Sequence, residues 1–151
     1  MTMSGRHDEL TTRRYNMHPA YFETHFLVAD SAEAWPQAFA IISAYATTGE
    51  EWPLAKNQAA DQELELELRS RSPWLRRVTG YSPNSGHAEP SWAAAIPLAE
   101  ACDIGLRFLQ DAVYYVADGR LSVSYCDDRR GLVPVDDFRN RLQQQTGEQH
   151  V

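Results

Sequence analysis

The sequence predicts an α+β fold in a single globular domain over residues 19–142, and three observations support this. The chain has 151 residues, of which 43% are hydrophobic and 23% charged, and both values are typical of one globular domain. Two segments have a helical composition, whereas about six others show the short apolar patterns of strands. The dipeptide Asp118-Gly119 between two apolar runs indicates a hairpin, and therefore antiparallel pairing.

These segments follow each other in the order ββαββαββ(α), in which the bracketed helix is short. This order lacks the strict alternation of strands and helices found in a doubly wound parallel sheet. Local hairpins instead favour a mixed or largely antiparallel sheet of about six strands, with the helices on one face. The polar residues 1–18 are expected to form a mobile arm, and the polar tail 143–151 is expected to fray.

The first half of the chain contains two predicted strands and one predicted helix. Phe22, Phe26 and Val28 belong to an alternating pattern typical of a half-buried strand, and residues 39–45 are almost continuously apolar, as in a central strand. The repeat Glu-Leu-Glu-Leu-Glu-Leu that follows alternates like a strand. Its residue types are nevertheless strong helix formers, and glutamate is depleted in strands. A helix is therefore predicted over residues 57–70.

The second half begins with two strands, predicted at residues 74–82 and 92–96. A helix is predicted over residues 98–109, because the proline before it fits the first turn of a helix, where its missing N–H costs nothing. Gly105 lies on the apolar side of this helix and would allow close packing on the sheet. After the hairpin, Asp136-Asp137 is expected to cap a short third helix carrying Phe138 and Leu142.

Composition limits the classes of function. The formal net charge is −7, from 14 basic and 21 acidic residues, and such a surface repels phosphate backbones, so nucleic-acid binding is not expected. Cys102 and Cys126 are too few for a disulfide framework or a zinc site. No apolar run approaches the ~20 residues of a membrane span, and residues 1–18 lack the apolar core of a secretory signal. We therefore expect a cytoplasmic protein without metal, cofactor or membrane partner.

Residues 80–92 concentrate polar side chains and permissive backbone between two apolar segments. Gly80-Tyr-Ser82-Pro-Asn84 lacks the last glycine of a nucleophile elbow. The same glycine and Gly86 do not have the spacing or the lysine of a phosphate-binding loop. Neither motif is therefore predicted.

In an extended segment His87, Glu89 and Ser91 would share one face, because side chains two apart point the same way. A histidine beside a carboxylate is suited to general acid–base work. The alternative is that Glu89 accepts hydrogen bonds from N–H groups of this turn-rich loop while His87 is exposed. Both interpretations remain open on the sequence alone.

Two amides and one arginine cluster are further candidates. Asn57 is expected to cap the first helix and Gln110 to satisfy carbonyls at the end of the second, or both bind a ligand's polar groups. The cluster surrounds Trp74 and consists of Arg69, Arg71, Arg76 and Arg77. Arginines near an aromatic ring suit an anion or a nucleic-acid base. Alternatively they complement the helix C-terminus and balance nearby glutamates.

The order of these segments resembles a bacterial family grouped as domain of unknown function 3293. The resemblance covers about residues 20–126, and its most specific pieces are Glu89-Pro-Ser-Trp92 and Gln110-Asp-Ala112. The chain departs from the family at Ala46-Thr47, where the family tends to have Asn-Pro, and at Leu109, where it tends to have Gly. The resemblance implies a small stand-alone bacterial domain and assigns no reaction.

Two functions lead, and nucleic-acid binding through the arginine cluster ranks last, behind both. The first is a ligand-binding or protein-interaction domain with a polar cleft around Glu89, to which Ser91 would also contribute. The second is a small enzyme in which Glu89 and His87 act as acid and base, while Asn57 and Gln110 bind the substrate. Both the cleft and the enzyme require these side chains to meet at one place in the fold. The partner expected in either case is a small molecule or another protein.

Overall fold

The computed structural model describes residues 17–46 and 51–145. Within these residues the chain forms two α-helices, α1 (Leu54–Arg69) and α2 (Leu98–Arg107), and two short 3-10 helices, Pro19–Phe22 and Phe138–Asn140. It also forms eight strands: β1 His25–Val28, β2 Ala38–Ile42, β3 Leu75–Tyr81, β4 Ala88–Ala94, β5 Ala112–Ala117, β6 Arg120–Tyr125, β7 Val133–Asp137 and β8 Leu142–Gln144. In this part of the chain, no helix is both long and apolar enough to cross a membrane.

All eight described strands belong to one sheet, in the order β7-β6-β5-β2-β4-β3-β1-β8. Every neighbouring pair is antiparallel except β1 and β8, which are parallel. The fold is therefore α+β with a mixed, largely antiparallel sheet. The expectation of about six strands was too low, because β7 and β8 were not recognised.

The sheet is curled, since its two edge strands are joined by only the four residues 138–141. A flat sheet of eight strands would be about 34 Å wide at ~4.8 Å per strand. The connection from the end of β7 to the start of β8 reaches at most about 19 Å. The two edges must therefore approach each other. Arg141, directly before β8, links β7 to the residue before β1, because it donates to the carboxylate of Asp136 at 2.9 Å and to the carbonyl of Thr24 at 3.1 Å.

Both helices pack on the convex face of the curled sheet. Leu64 and Leu68 of α1 and Cys102 and Ile104 of α2 are fully buried there, in one cluster with Ala40 of β2. This agrees with the expectation that the helices lie on one face. Neither of the two described α-helices packs on the concave face.

At one end, the concave face is apolar and is filled by aromatic rings. Trp35 stacks on Phe39 at 4.9 Å between ring centroids and meets Trp74 edge-on at 5.7 Å. The ring of Phe138 lies 5.1 Å from Trp35, and the Arg76 guanidinium lies 4.2 Å from the centre of the Trp35 ring. These rings close one end of the concave space. The other end is open and carries the candidate site.

Two local predictions are confirmed. The β5–β6 hairpin pairs Ala117 with Arg120, and Asp118 and Gly119 have φ angles of 51° and 78°, as a type I′ turn requires. Gly105 of α2 packs very closely on the hairpin. A Cβ built there would lie 2.6 Å from the sulfur of Cys126 and 3.1 Å from Val113 Cγ1.

The expected third helix is wrong. Asp136 and Asp137 lie in β7, and Phe138 begins a 3-10 helix instead of an α-helix. Asp136 nevertheless accepts hydrogen bonds, from the N–H of Asp137 and from Asn140. These bonds stabilise the tight connection between the sheet edges, which is too short to hold an α-helix.

The ends of the domain also differ from expectation. The tail was expected to fray from residue 143, but Gln143 and Gln144 belong to β8, which pairs with β1. Met17, assigned to the mobile arm, is 3% exposed and packs with Val123 and Val133. The remainder of the expected arm and tail, residues 1–16 and 146–151, lies outside the described residues.

Several element boundaries are shifted. Helix α1 begins at Leu54 after Pro53, so Asn57 lies inside the helix and is not its N-cap. Strand β1 begins at His25, because the preceding residues form a 3-10 helix in which His18 Nδ1 accepts from the N–H of Ala20.

Two further boundaries lie near the candidate site. Strand β4 begins at Ala88, so Glu89 belongs to a strand and not to a loop. Helix α2 ends at Arg107, and Leu109 has a φ of 62°. This left-handed conformation favours glycine, which is what the resembling family tends to have at that position.

Candidate functional site

A cavity of about 370 Å³ lies at the open end of the curled sheet, opposite the end that the aromatic rings close. It lies between β1, β2, β3, β4 and β5, with the first 3-10 helix and the turn after α2 at its rim. Phe26 and Ile41 form an apolar floor. The polar side chains that line it are Tyr21, Thr24, Ser43, Tyr81, Ser82, Ser85, His87, Glu89, Ser91, Gln110, Asp111 and Tyr114.

The pairing of β3 with β4 positions Glu89 in the cavity. Glu89 lies opposite Gly80, and Ser91 lies opposite the buried Val78, so both face the concave side. Gly80 leaves room in front of the carboxyl. A Cβ built there would make only ordinary contacts, with Thr24 at 3.5 Å and Phe26 at 3.8 Å. Since Gly80 itself lines the cavity, a side chain at this position would extend into it.

The carboxyl of Glu89 is partly buried, and burial raises its pKa above the usual 4.5. The nearby charge of His87 and a hydrogen bond from Ser43 oppose this rise and are smaller effects. The Ser43 hydroxyl oxygen accepts from the N–H of Tyr45 at 3.0 Å, so its own proton is free to be donated to the carboxyl. A carboxyl with a raised pKa changes protonation closer to neutral pH than an ordinary one.

Two tyrosines form the wall opposite Glu89. The Tyr114 hydroxyl lies 2.9 Å from Thr24 Oγ1 and 3.0 Å from the carbonyl of Tyr21, and the two tyrosine rings meet edge-on. Burial, with the charge of Asp111, raises the pKa of Tyr21 to about 12. Burial also raises the pKa of Tyr114. Both hydroxyls are therefore neutral near pH 7, and they present hydroxyl oxygens and ring surface to the cavity.

Gln110 also lines the cavity, although it is only 9% exposed. Its Nε2 donates to the carbonyls of Tyr45 at 2.8 Å and Phe108 at 3.1 Å. The amide thus satisfies carbonyls at the end of α2, as one of the two interpretations predicted. It also ties the end of β2 to the turn that carries Asp111.

The structure brings four of the five sequence candidates together and leaves one outside. Glu89, His87, Ser91 and Gln110 line the same cavity, whereas Asn57 does not. Asn57 Oδ1 instead accepts from the N–H of Ala46 at 2.9 Å, and Ala46 is a lining residue. Asn57 therefore fixes the position of Ala46 at the edge of the cavity without lining the cavity itself.

The sequence did not predict the wall of the cavity opposite Glu89 or the serine that donates to the Glu89 carboxyl. Tyr21, Thr24 and Ser43 come from the first 45 residues, far along the chain from Glu89, and only the sheet order brings them together. Ser43 carried one usable signal, since it is the polar residue inside the apolar run 39–45. Within the described residues, no group of three or more His, Cys, Asp or Glu side chains is arranged to hold a metal ion.

The arginine cluster near Trp74 is paired with acidic groups. The pairs are Arg69 with Glu65 at 2.7 Å, Arg71 with Glu67 and with Glu100 at 2.9 Å, Arg76 with Glu33 at 3.4 Å, and Arg77 with Asp61 at 2.6 Å. Arg77 also stacks on the ring of Trp92 at 3.8 Å. This arrangement supports the structural interpretation of the cluster, since each guanidinium already has an acidic partner.

The raised pKa of Glu89 predicts a pH-dependent gain in stability for Glu89→Gln. Between pH 4.5 and the pKa in the folded protein, the folded chain keeps a proton that the unfolded chain has lost. The stability contribution of this residue therefore falls as the pH rises through that window. Glutamine is neutral at every pH. The variant should melt at a higher temperature than the wild type at about pH 8, and the difference should shrink toward pH 4.5.

Thermal unfolding followed by circular dichroism at several pH values measures this difference. Glu63→Gln is a matched control, because Glu63 is exposed on α1, far from the cavity lining. A Glu89→Gln variant that is less stable than the wild type at about pH 8 would show that the ionised carboxylate is stabilised in the fold.

A family model described as Protein of unknown function (DUF3293) matches residues 42–113. This match confirms the resemblance. The DUF3293 segment runs from the end of β2 to the start of β5, and it includes Glu89, Ser91 and Gln110. Tyr21 and Thr24 of the cavity wall lie before it. The comparisons with curated proteins and with solved structures gave no match.

Proposed function

We propose that the protein is a binding domain for a small organic molecule, which occupies the cavity around Glu89. The observation that carries this proposal is the cavity itself, an open space of about 370 Å³ with a supported, partly buried carboxyl inside. Small-molecule sites in proteins have volumes of about 300–1,000 Å³ and combine an apolar surface with a few convergent polar groups. The cavity has both features.

The site is formed by rigid elements. Glu89 and Ser91 are on a strand with neighbours on both sides, and Ser43, just after β2, is 9% exposed. Tyr114 is fixed by its hydroxyl contacts at the rim. Such a preformed site loses little conformational entropy when a ligand binds, which favours binding as a function.

An enzyme is the second candidate, and the raised pKa of Glu89 beside His87 favours it. In this case Glu89 would exchange a proton with the bound substrate, because a general acid or base works best when its pKa lies near the working pH. Gln110 and Ser91 would bind the substrate. Asn57 would act only by positioning the edge of the cavity, since its side chain does not line it.

Filling the cavity tests the proposed function. Gly80→Leu places a branched side chain in front of Glu89 and over Phe26, without a backbone conformation that requires glycine. We expect this variant to lose thermal stabilisation by ligands that stabilise the wild type in a screen of small metabolites, with affinities reduced at least about tenfold, or ~1.4 kcal/mol.

Thr79→Leu is the matched control. Thr79 is the preceding residue of β3, and successive side chains of a strand point to opposite faces. This variant should bind the same ligands as tightly as the wild type. Equal binding by the wild type and Gly80→Leu would contradict the proposal. Chemical conversion of a bound molecule, lost in Glu89→Gln, would establish the enzyme instead.

A further inference from the structure

We infer that the ligand of this cavity is a small organic cation, such as an amine, held with its positive charge against Glu89. This inference rests on the proposed function and names its ligand class. It follows from the charges that line the cavity, from the surroundings of the carboxyl and from the nature of the walls.

The carboxyl of Glu89 lies in the cavity with no lysine or arginine beside it among the described residues. Asp111 is a second carboxyl of the lining, and none of the described residues that line the cavity is Lys or Arg. The charge of Arg141 reaches the cavity wall at Tyr114. Its guanidinium, however, is held by the carboxylate of Asp136 and the carbonyl of Thr24. An ionised Glu89 would therefore repel an anionic ligand and attract a cation.

An ionised Glu89 carboxylate would have no permanent positive charge beside it among the described residues of the cavity. It is partly buried, and its neighbours are the hydroxyl of Ser43 and the exposed imidazole of His87. Burial of an ionised group without a close counter-charge costs free energy. A cationic ligand would supply that counter-charge, and bound inside the cavity it would be less screened by salt than a pair on the surface.

The walls of the cavity have groups that can bind both the ammonium and the hydrocarbon part of an amine. An ammonium has three donors and no acceptor, and the hydroxyl oxygens of Ser91, Tyr21 and Tyr114 can accept. The rings of Phe26 and Tyr114 meet edge-on at 5.2 Å, and a third ring, Tyr21, stands at the rim. Aromatic faces attract cations through the negative charge density of the ring. The apolar floor would receive the hydrocarbon part of the ligand.

The affinity should rise with pH, because only the ionised carboxyl attracts the cation. The other titratable groups that line the cavity are His87 just before β4, Tyr21 on the 3-10 helix, Tyr81 on β3, Tyr114 on β5 and Asp111 on the turn before β5. Tyr21 and Tyr114 stay neutral near pH 7 because burial raises their pKa values. The inference assigns the pH dependence of binding to the ionisation of Glu89.

Three compounds of similar size and different charge test the inference. They are 2-phenylethylamine, 2-phenylethanol and phenylacetate, titrated into the full-length protein at about pH 8 and followed by two-dimensional NMR. We expect the amine to bind at least about tenfold more tightly than the alcohol, and the carboxylate to bind least. In Glu89→Gln the preference for the amine should disappear. In Glu63→Gln, which makes the same change of charge on α1, outside the cavity lining, the preference should remain.

The possible outcomes separate this inference from the proposed function. Equal binding of amine and alcohol, tighter binding of phenylacetate, or no binding of the amine would overturn the inference. The proposed function would still hold if other ligands bind in a manner that Gly80→Leu abolishes. If library ligands bind Gly80→Leu as tightly as the wild type, the proposed function fails as well.

Discussion

Replacement of Phe138 by alanine is expected to cost about 3–5 kcal/mol of unfolding free energy, the usual range for a buried phenylalanine. Phe138 is 5% exposed, and its ring lies 5.1 Å from Trp35, 5.4 Å from Phe39 and 5.9 Å from Phe26. It lies on the short connection between the edges of the sheet. Its removal therefore leaves a cavity inside the curled sheet and also weakens the contact that holds the edges together.

Urea unfolding followed by circular dichroism measures this loss. The control is Leu132→Ala, because Leu132 precedes β7 and is 40% exposed, and the substitution should change stability by less than about 0.5 kcal/mol. A loss below about 1 kcal/mol for Phe138→Ala would mean that closure of the sheet does not depend on this ring.

Substitution of Gly105 by alanine is expected to destabilise the protein by about 1–3 kcal/mol. Alanine alone would favour the helix by about 1 kcal/mol. The added Cβ would overlap the sulfur of Cys126 at 2.6 Å, and would press on Val113 at 3.1 Å. The helix would have to move away from β5, which carries Tyr114 of the cavity wall.

The cause of this loss can be isolated with a double-mutant cycle. In a Cys126→Ala background the sulfur is absent, so Gly105→Ala should cost much less or become neutral. Leu106→Ala, at an exposed position of the same helix, should have a small effect in both backgrounds. The same loss with and without the sulfur would show that the close approach is not responsible.

Local signals in the sequence predicted local structure well. The Asp118-Gly119 turn requires two positive φ angles, and both are present. Gly105 was expected to allow close packing of its helix, and it does. In these places the evidence lies within a few residues of the chain, so composition and spacing are sufficient.

Features that depend on distant pairing were not predicted. Strand β8 has only three residues, one leucine and two glutamines, and it is a strand because β1 lies beside it. The curl of the sheet follows from the strand order and from the short connection that begins at Phe138. The first helix begins at Leu54, three residues before Asn57, and Pro53 stands at its N-cap. Asn57 accepts instead from the N–H of Ala46, a contact that no local pattern predicts.

For the candidate site too, the part within one strand was predicted, and the part contributed by distant strands was not. Alternation along one strand indicated that His87, Glu89 and Ser91 share a face, and all three line the cavity. Their roles stay predictions. Ser43 and Tyr114, which support and face the carboxyl, come from two other strands or their ends, and no local pattern links them to Glu89.

The central claim is that the open end of the curled sheet binds a small molecule at Glu89, and mapping of ligand-induced NMR shifts tests it most directly. Fragments found to bind the wild type should shift the backbone amides of Gly80, Ser43 and Ala112, together with the side-chain carboxyl signal of Glu89. Shifts confined to the groove between Trp52 and Arg107 on the helical side, or no binding by any fragment, would contradict it.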